Sequence, residues 1–345
     1  MKRIITLILA LSVMLMSTLS APVSAAGQIQ KFTINGKPYV RTFYDEFGGI
    51  DLDDTKWERS PEYSRQNGYC FWSDSMTSVD GKGHLLLSCD YDDNGTLLTG
   101  SIRSKNRFYQ TYGYFEISAK LQQVGGFWSA FWLMPDYIDY GSVGGADGTE
   151  MDIFEAYDVK NKKINHALHY DGYGENHTSI GSGVTANVYD GKYHNFAMEW
   201  DESGYTFFID GKESYRITTD DTDSRGNKIQ SCMMPVYLKI SLESGSWTEL
   251  PNPADMPSGI EVDYVKVYQR AEDYIKTHVV YGDIDSDLEI GVADVLILRE
   301  YLACRRKEIN ITNANVYNDS EVDLKDCLAL RKYLADEITQ LPCKE

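Results

Sequence analysis

From about Phe32 to Gln269, apolar and polar residues alternate over short runs that are closed by Gly, Asp and Asn turns. Examples are His84-Leu85-Leu86-Leu87-Ser88, Tyr112 to Lys120, Tyr205 to Ile209 before Asp210-Gly211, and Gly259 to Tyr268. Alternation, β-branched and aromatic enrichment and D-G turns predict antiparallel strands joined by hairpins. No long stretch of 3.6-residue period interrupts them, so one large all-β sandwich is expected over residues 32–270. At about Ala271 the pattern changes. Val295, Leu296, Leu298, Tyr301 and Leu302 recur at helical spacing, and Leu328, Leu330, Tyr333 and Leu334 follow in the same way. Asp294 to Ala303 superposes on Asp326 to Ala335 at an offset of 32 residues, so residues 280–345 read as a duplicated, small all-α module. Residues 271–279, between the two blocks, read as a short polar connector.

Composition excludes several classes. At 345 residues, 42% hydrophobic and 12% aromatic, the chain has apolar mass for more than one folded domain and is not disordered. A formal charge of −19 argues against nucleic acid or an anionic membrane as partner, because no Lys or Arg cluster could neutralise phosphates. Lys2 and Arg3, the apolar run Ile4 to Met16 and the small residues Val23-Ser24-Ala25-Ala26 read as a secretory signal peptide over residues 1–25, with no membrane span elsewhere. Secretion is therefore expected. Cys70, Cys89, Cys232, Cys304, Cys327 and Cys343 form no C-x-x-C pair; they read as structural or free thiols, and their spacing does not fix a pairing.

The chemistry concentrates in Gly148-Thr149-Glu150-Met151-Asp152-Ile153-Phe154-Glu155. On a regular strand Glu150 and Asp152 share a face and Glu155 points to the other. One bulge, at Ile153 or Phe154, would re-aim Glu155 and set three carboxylates in a row. Two carboxyls about 5 to 5.5 Å apart are what a retaining glycosidase needs, one as nucleophile and one as proton donor. Crowding with Asp152 would help to keep Glu155 protonated. Three acids on a solvent-facing strand are the bland alternative.

The surrounding sequence decides between them. Glu150-x-Asp152-x-x-Glu155 resembles the active-site strand of glycoside hydrolase family 16 in its bulged, laminarinase-like form. The resemblance runs through Tyr44-Asp45-Glu46-Phe47 with Trp57, Thr99 to Arg103, Tyr112 to Glu116, Gly126-Phe127-Trp128-Ser129-Ala130-Phe131-Trp132, His166 to Tyr170, Tyr193 to Trp200 and Val262 to Tyr268, all in the family's order. It implies a concanavalin-like β-jelly-roll with a substrate cleft. Glu150 would be the nucleophile, Glu155 the general acid/base and Asp152 the assisting carboxylate. His169 would lie beside the triplet, with a buried core histidine as the alternative. Trp128 would be a sugar-stacking platform rather than core, Trp132 core, and Arg103 and Trp247 further substrate contacts. The chain departs from the family in Ile240 to Trp247 and in the Gly-rich loop Asp136 to Gly148, which bear on subsites rather than on cleavage.

In the C-terminal module Asp283, Asp285 and Asp287 alternate, with Glu289 at loop position 7 and Asp294 at position 12. Oxygen ligands at positions 1, 3, 5, 7 and 12 of such a loop wrap a calcium ion. The second loop, Asn315, Asp319, Glu321, Asp323 and Asp326, is weaker because Tyr317 stands at position 3. The module resembles a dockerin, the unit that plugs secreted enzymes into a cohesin on a scaffold, although Leu288 replaces the usual Gly at position 6 and no entering helix is evident. Val292-Ala293 and Leu324-Lys325 differ at positions 10 and 11, so two equivalent cohesin-binding modes are not expected. Together these readings imply a secreted, scaffold- or cell-surface-associated endo-β-glucanase acting on β-1,3 or mixed β-1,3/1,4-glucan with retention, and needing calcium only in the dockerin. The alternatives are a relative acting on galactan or xyloglucan, a transglycosylase, or a non-catalytic glucan-binding jelly-roll.

Overall fold

The structure is a computed structural model that describes residues 29–138, 144–245 and 247–343. The expected signal peptide lies outside the described residues. Contacts divide the chain into two compact units, Arg41–Gln269 and a second made of residues up to Val40 together with Arg270–Glu345.

The first unit is the expected two-sheet sandwich. Its seven-stranded sheet runs in the order Thr178–Thr185, Lys163–Tyr170, Thr149–Asp158, Trp128–Pro135, Val236–Glu243, Ser101–Arg103, Glu58–Arg59. The opposing sheet is built around Gly113–Lys120, flanked by His194–Asp201 and Ser258–Arg270. Both halves follow from period-2 alternation. Phe131 and Leu133, Met151 and Ile153, and Leu238, Ile240 and Leu242 all enter one core between the sheets with Phe115, Phe196, Phe207 and Trp200. The intervening residues of the same strands point out of the sandwich and form the floor of a cleft. Trp132, expected in the core, belongs to that floor: with Trp72, Trp128 and Ala130 it forms a separate cluster outside the main core.

In the second unit the helices Val292–Leu302 and Leu324–Leu334 pack through Val295, Leu298, Cys327, Leu330 and Leu334, the apolar face seen in the duplication. Two features differ from expectation. Residues 271–277, read as a polar connector, form a helix, Ala271–Thr277. The hairpin Lys31–Ile34 with Lys37–Val40, placed with the β domain in sequence, instead belongs to the C-terminal unit. Leu288 explains both. It sits at φ +66°, a conformation that favours glycine, yet its side chain is only 2% exposed and packs with Val40, Ala271 and Val280. Position 6 of the loop has thus become a hydrophobic peg, and the helix and hairpin form its socket. Among the described residues no helix is long and apolar enough to cross a membrane. All six cysteines are free.

Candidate active site

The triplet strand enters the sheet at Gly148. A side chain there would meet the Tyr137 carbonyl oxygen at 2.6 Å and Ile138 Cα at 2.7 Å, so only glycine admits this approach. Beyond it, Trp132 pairs with Asp152 while Phe131 pairs with Phe154, which makes Ile153 the extra residue of a bulge. Ile153 and Phe154 both enter the core, and Glu150, Asp152 and Glu155 all line one cleft of about 540 Å³. The expected re-aiming of Glu155 is therefore present.

The three acids have different surroundings. Tyr173 donates a hydrogen bond to Glu150 Oε2. Burial pushes the Glu150 carboxyl above its ordinary range, and the Tyr173 hydrogen bond opposes that shift. Asp152 is buried and has one carboxylate oxygen without a hydrogen-bond partner. Desolvation and the nearby Glu150 and Glu155 hold it well above the carboxylate range. Glu155 accepts a 2.9 Å hydrogen bond from Asn165 Nδ2. Burial, aided by Glu150 and opposed by Asn165, pushes its carboxyl up to about 7. All three carboxyls are held above their ordinary range, and Glu150 differs from the other two in accepting a tyrosine hydroxyl, a hydrogen bond that favours its anion, as a division into acid and nucleophile requires.

His169 lies opposite Glu150 in the ladder, with Nε2 3.5 Å from Asp152 Oδ2 and Nδ1 3.0 Å from His177 Nε2. It stands beside the triplet and is not a core histidine; burial lowers its pKa, so it sits beside the acids as neutral imidazole. Trp128 lines the cleft at 4% exposure, so it is a buried wall rather than an open platform. Its ring makes an edge contact with Trp247, 5.8 Å between centroids. Trp247, expected as a substrate contact, is exposed and stacks on Tyr157 at 4.4 Å, outside the residues that line the cleft. Arg103 lines the cleft and is ion-paired to Glu58 at 2.6 Å.

Several cleft residues were not singled out in the sequence. Lys239, Ser241 and Glu243 alternate along Val236–Glu243, the last two within the segment that departs from the family, so their period-2 polarity was a usable signal. The Lys239 ammonium lies over the Trp132 ring at 3.7 Å and the Trp72 ring at 4.9 Å. Burial, reinforced by Arg65, lowers its pKa to about 7. Glu243 is held by Arg65 at 2.8 Å and by Gln66. Tyr173 comes from the loop after Lys163–Tyr170, where no periodicity announces it.

In the C-terminal unit Asp283, Asp285 and Asp287 each present a carboxylate oxygen within 4.8 Å of the others. Asp294 accepts from the backbone N–H of Ile284 at 2.6 Å and of Gly291 at 2.8 Å, which ties the loop to its helix. Desolvation raises Asp283 to about 6. A hard divalent cation fits this donor set, since it removes both the crowding and the desolvation cost of the carboxylates. Glu289 points its carboxylate to Lys31 Nζ at 2.6 Å, so at position 7 only its backbone carbonyl could face a cation. In the second loop Lys325 Nζ takes Asp319 Oδ2 at 3.0 Å and Tyr317 offers its backbone N–H to Asp326, so a cation there meets a resident ammonium.

Comparison with known proteins accords with both sites. Residues 64–266 match the model of Glycosyl hydrolases family 16. Residues 281–335 match the Dockerin type I domain. The chain is 27% identical over 254 residues to the Glucan endo-1,3-beta-glucosidase A1 of Niallia circulans, covering 65% of this chain and 37% of the relative. It is 28% identical over 256 residues to the Keratan-sulfate endo-1,4-beta-galactosidase of Sphingobacterium multivorum, covering 69% and 57%. The chain thus spans about a third to a little over half the length of these relatives. The endo-beta-1,3-glucanase of Pyrococcus furiosus shares the fold, with a TM-score of 0.57 at 20% identity over 70% of this chain and 98% of that one.

Proposed function

From the premise that this chain belongs to glycosyl hydrolases family 16 and carries a dockerin type I domain, we propose a secreted endo-β-glucanase that cleaves β-1,3 or mixed β-1,3/1,4-glucan with retention. Glu155, protonated to about pH 7, gives its proton to the leaving glycosidic oxygen while the Glu150 carboxylate attacks the anomeric carbon. The resulting glycosyl ester is hydrolysed by a water whose proton returns to Glu155. Asp152, between them and pushed toward its neutral form by burial and by both glutamates, limits the charge crowding on Glu150. The observation that carries this reading is the bulge that sets Glu155 on the face of Glu150 and Asp152.

The test is reducing-sugar release from laminarin, lichenan, agarose and xyloglucan, with early product anomers followed by NMR. Retained β configuration and loss of several orders of magnitude in Glu150→Gln support the reading; early α product or an active Glu150→Gln overturns it. The basic groups Lys239, Arg65 and Arg103 favour a second substrate reading, a galactan with anionic substituents, and one relative is named Keratan-sulfate endo-1,4-beta-galactosidase. Adding keratan sulfate to the panel separates the two. The C-terminal unit would hold calcium through Asp283, Asp285, Asp287, Asp294 and the Glu289 carbonyl, and would dock on a cohesin through exposed Val292, Leu296, Leu324 and Leu328.

A further inference from the structure

The bulge that turns Glu155 into the cleft leaves a problem on the other face of the sheet. Asp152 pairs with Ala167 and Glu155 with Asn165, so Ile153 and Phe154 together stand against the single residue His166. A bulged residue loses its place in the ladder, and a buried carbonyl without a partner is costly. His166 supplies the missing partner from its side chain: Nδ1 lies 2.6 Å from the Ile153 carbonyl oxygen. A carbonyl only accepts, so Nδ1 carries the hydrogen; Nε2 is then the acceptor for Ser214 Oγ at 2.9 Å.

The ring is held on every side. It is fully buried and stacks on Phe207, 4.9 Å between centroids at 26°. Phe207 and Ser214 belong to the opposite sheet, so His166 bridges the two layers directly beneath the triplet. Burial pushes its pKa down to about 4, which keeps the ring neutral and this tautomer fixed. The positions sharing its face, Ile164, Leu168 and Tyr170, are ordinary core residues. Packing alone therefore does not ask for a histidine here. A strand without the bulge would shift by one residue beyond Ile153, exchanging Phe154 and Glu155 between core and cleft.

We propose that His166 is a positioning residue for the reaction: through Ile153 it holds the bulge that brings Glu155 onto the face of Glu150 and Asp152. The proposal rests on the reading of Glu155 as acid/base. Its test uses the full chain with His166→Asn and His166→Gln. The Asn amide nitrogen reaches the place of Nδ1, toward Ile153, whereas the Gln amide nitrogen reaches the place of Nε2, toward Ser214. With laminarin as substrate, His166→Asn should keep turnover within about threefold of the parent, and His166→Gln should lose kcat on the order of 10²-fold with KM little changed, as expected for a misplaced acid. Equal kcat in the two variants, whether high or low, overturns the proposal. Crystal structures of the Gln variant add a readout that does not depend on turnover: a shifted register at Ile153 with Glu155 out of the cleft is expected, and an unchanged bulge overturns the proposal. Glu155→Ala run alongside keeps the two claims apart. Full activity in that variant would refute the acid/base reading, while the register of the Gln variant still decides the role of His166.

Discussion

Replacing Tyr173 by Phe removes the hydrogen bond to Glu150 Oε2, with a long contact of 3.7 Å to Met134 Sδ, and leaves the ring in place over His177. The bond favours the ionised Glu150, so its loss must raise the Glu150 pKa, which burial already holds above the ordinary value. A hydrogen bond to a charged group contributes about 1.5 to 3 kcal/mol, or roughly 1 to 2 pH units. Tyr173 is about half exposed, at 52%, so water replaces part of the loss and the lower end, about 1 unit, is the expected shift. The assay is the pH dependence of kcat/KM on laminarin. The acid limb should move up by about 1 unit while the alkaline limb, governed chiefly by Glu155, stays near 7, so the bell narrows from one side. Because the three carboxyls titrate together, the two limbs belong to the set, and it is their separation that carries the result. An acid limb that stays in place or moves down would refute the assignment of Glu150 as the anion held by Tyr173.

Other outcomes follow from the same geometry. Glu155→Gln should gain stability relative to the parent as pH rises. The folded-state pKa of about 7 lies above the ordinary 4.5, so the advantage of the buried acid form is complete below 4.5 and is lost as pH passes 7. The gain should reach at most about 3 kcal/mol, read as a difference in Tm that widens across that window. Asp283→Ala should abolish calorimetric calcium uptake at the first loop and cohesin capture while laminarin hydrolysis persists, whereas Tyr317→Ala should leave calcium affinity nearly unchanged. Both are measured on the full chain, because residues 29–40 belong to the same unit. Leu288→Gly relieves a left-handed backbone by about 1 to 2 kcal/mol but removes a buried side chain whose truncation costs about 2 to 5, so the unit should lose stability overall, read as a lower midpoint in calcium-loaded thermal unfolding.

Local pattern made the triplet legible. Glu150, Asp152 and Glu155 lie within six residues of one another, and the need for a bulge followed from strand geometry alone. The first acidic loop was legible for the same reason, Asp283, Asp285, Asp287 and Glu289 standing at consecutive odd positions with Asp294 opening the helix. What escaped are groups brought in by distant segments. Tyr173 reaches Glu150 from a loop, Lys239 and Glu243 come from a strand some 90 residues further on, and Arg65 comes from one some 90 residues earlier. For Lys239 and Glu243 the meeting is decided by strand order in the seven-stranded sheet, and for Arg65 by a strand of the opposing sheet, which no local period encodes. Trp132 was misplaced because Phe131 and Trp132 are equally apolar in sequence, and only the register against Asp152 says which of them faces the cleft. The polar connector failed for a similar reason. Ala271, Tyr274 and Ile275 have few apolar partners nearby in sequence, and their socket is completed by Ile29, Val40 and Leu288.

The peg formed by Leu288 bears on how this chain would respond to a protease. An enzyme joined to its docking unit by an ordinary linker is released by one cut. Here a nick beside Gln269 leaves residues 29–40 covalently attached to Arg41 and still packed against Val280 and Leu288, with Lys31 paired to Glu289. Such a nicked chain should migrate as one species under native conditions and as two after denaturation, so cleavage at that site would not by itself separate the two units.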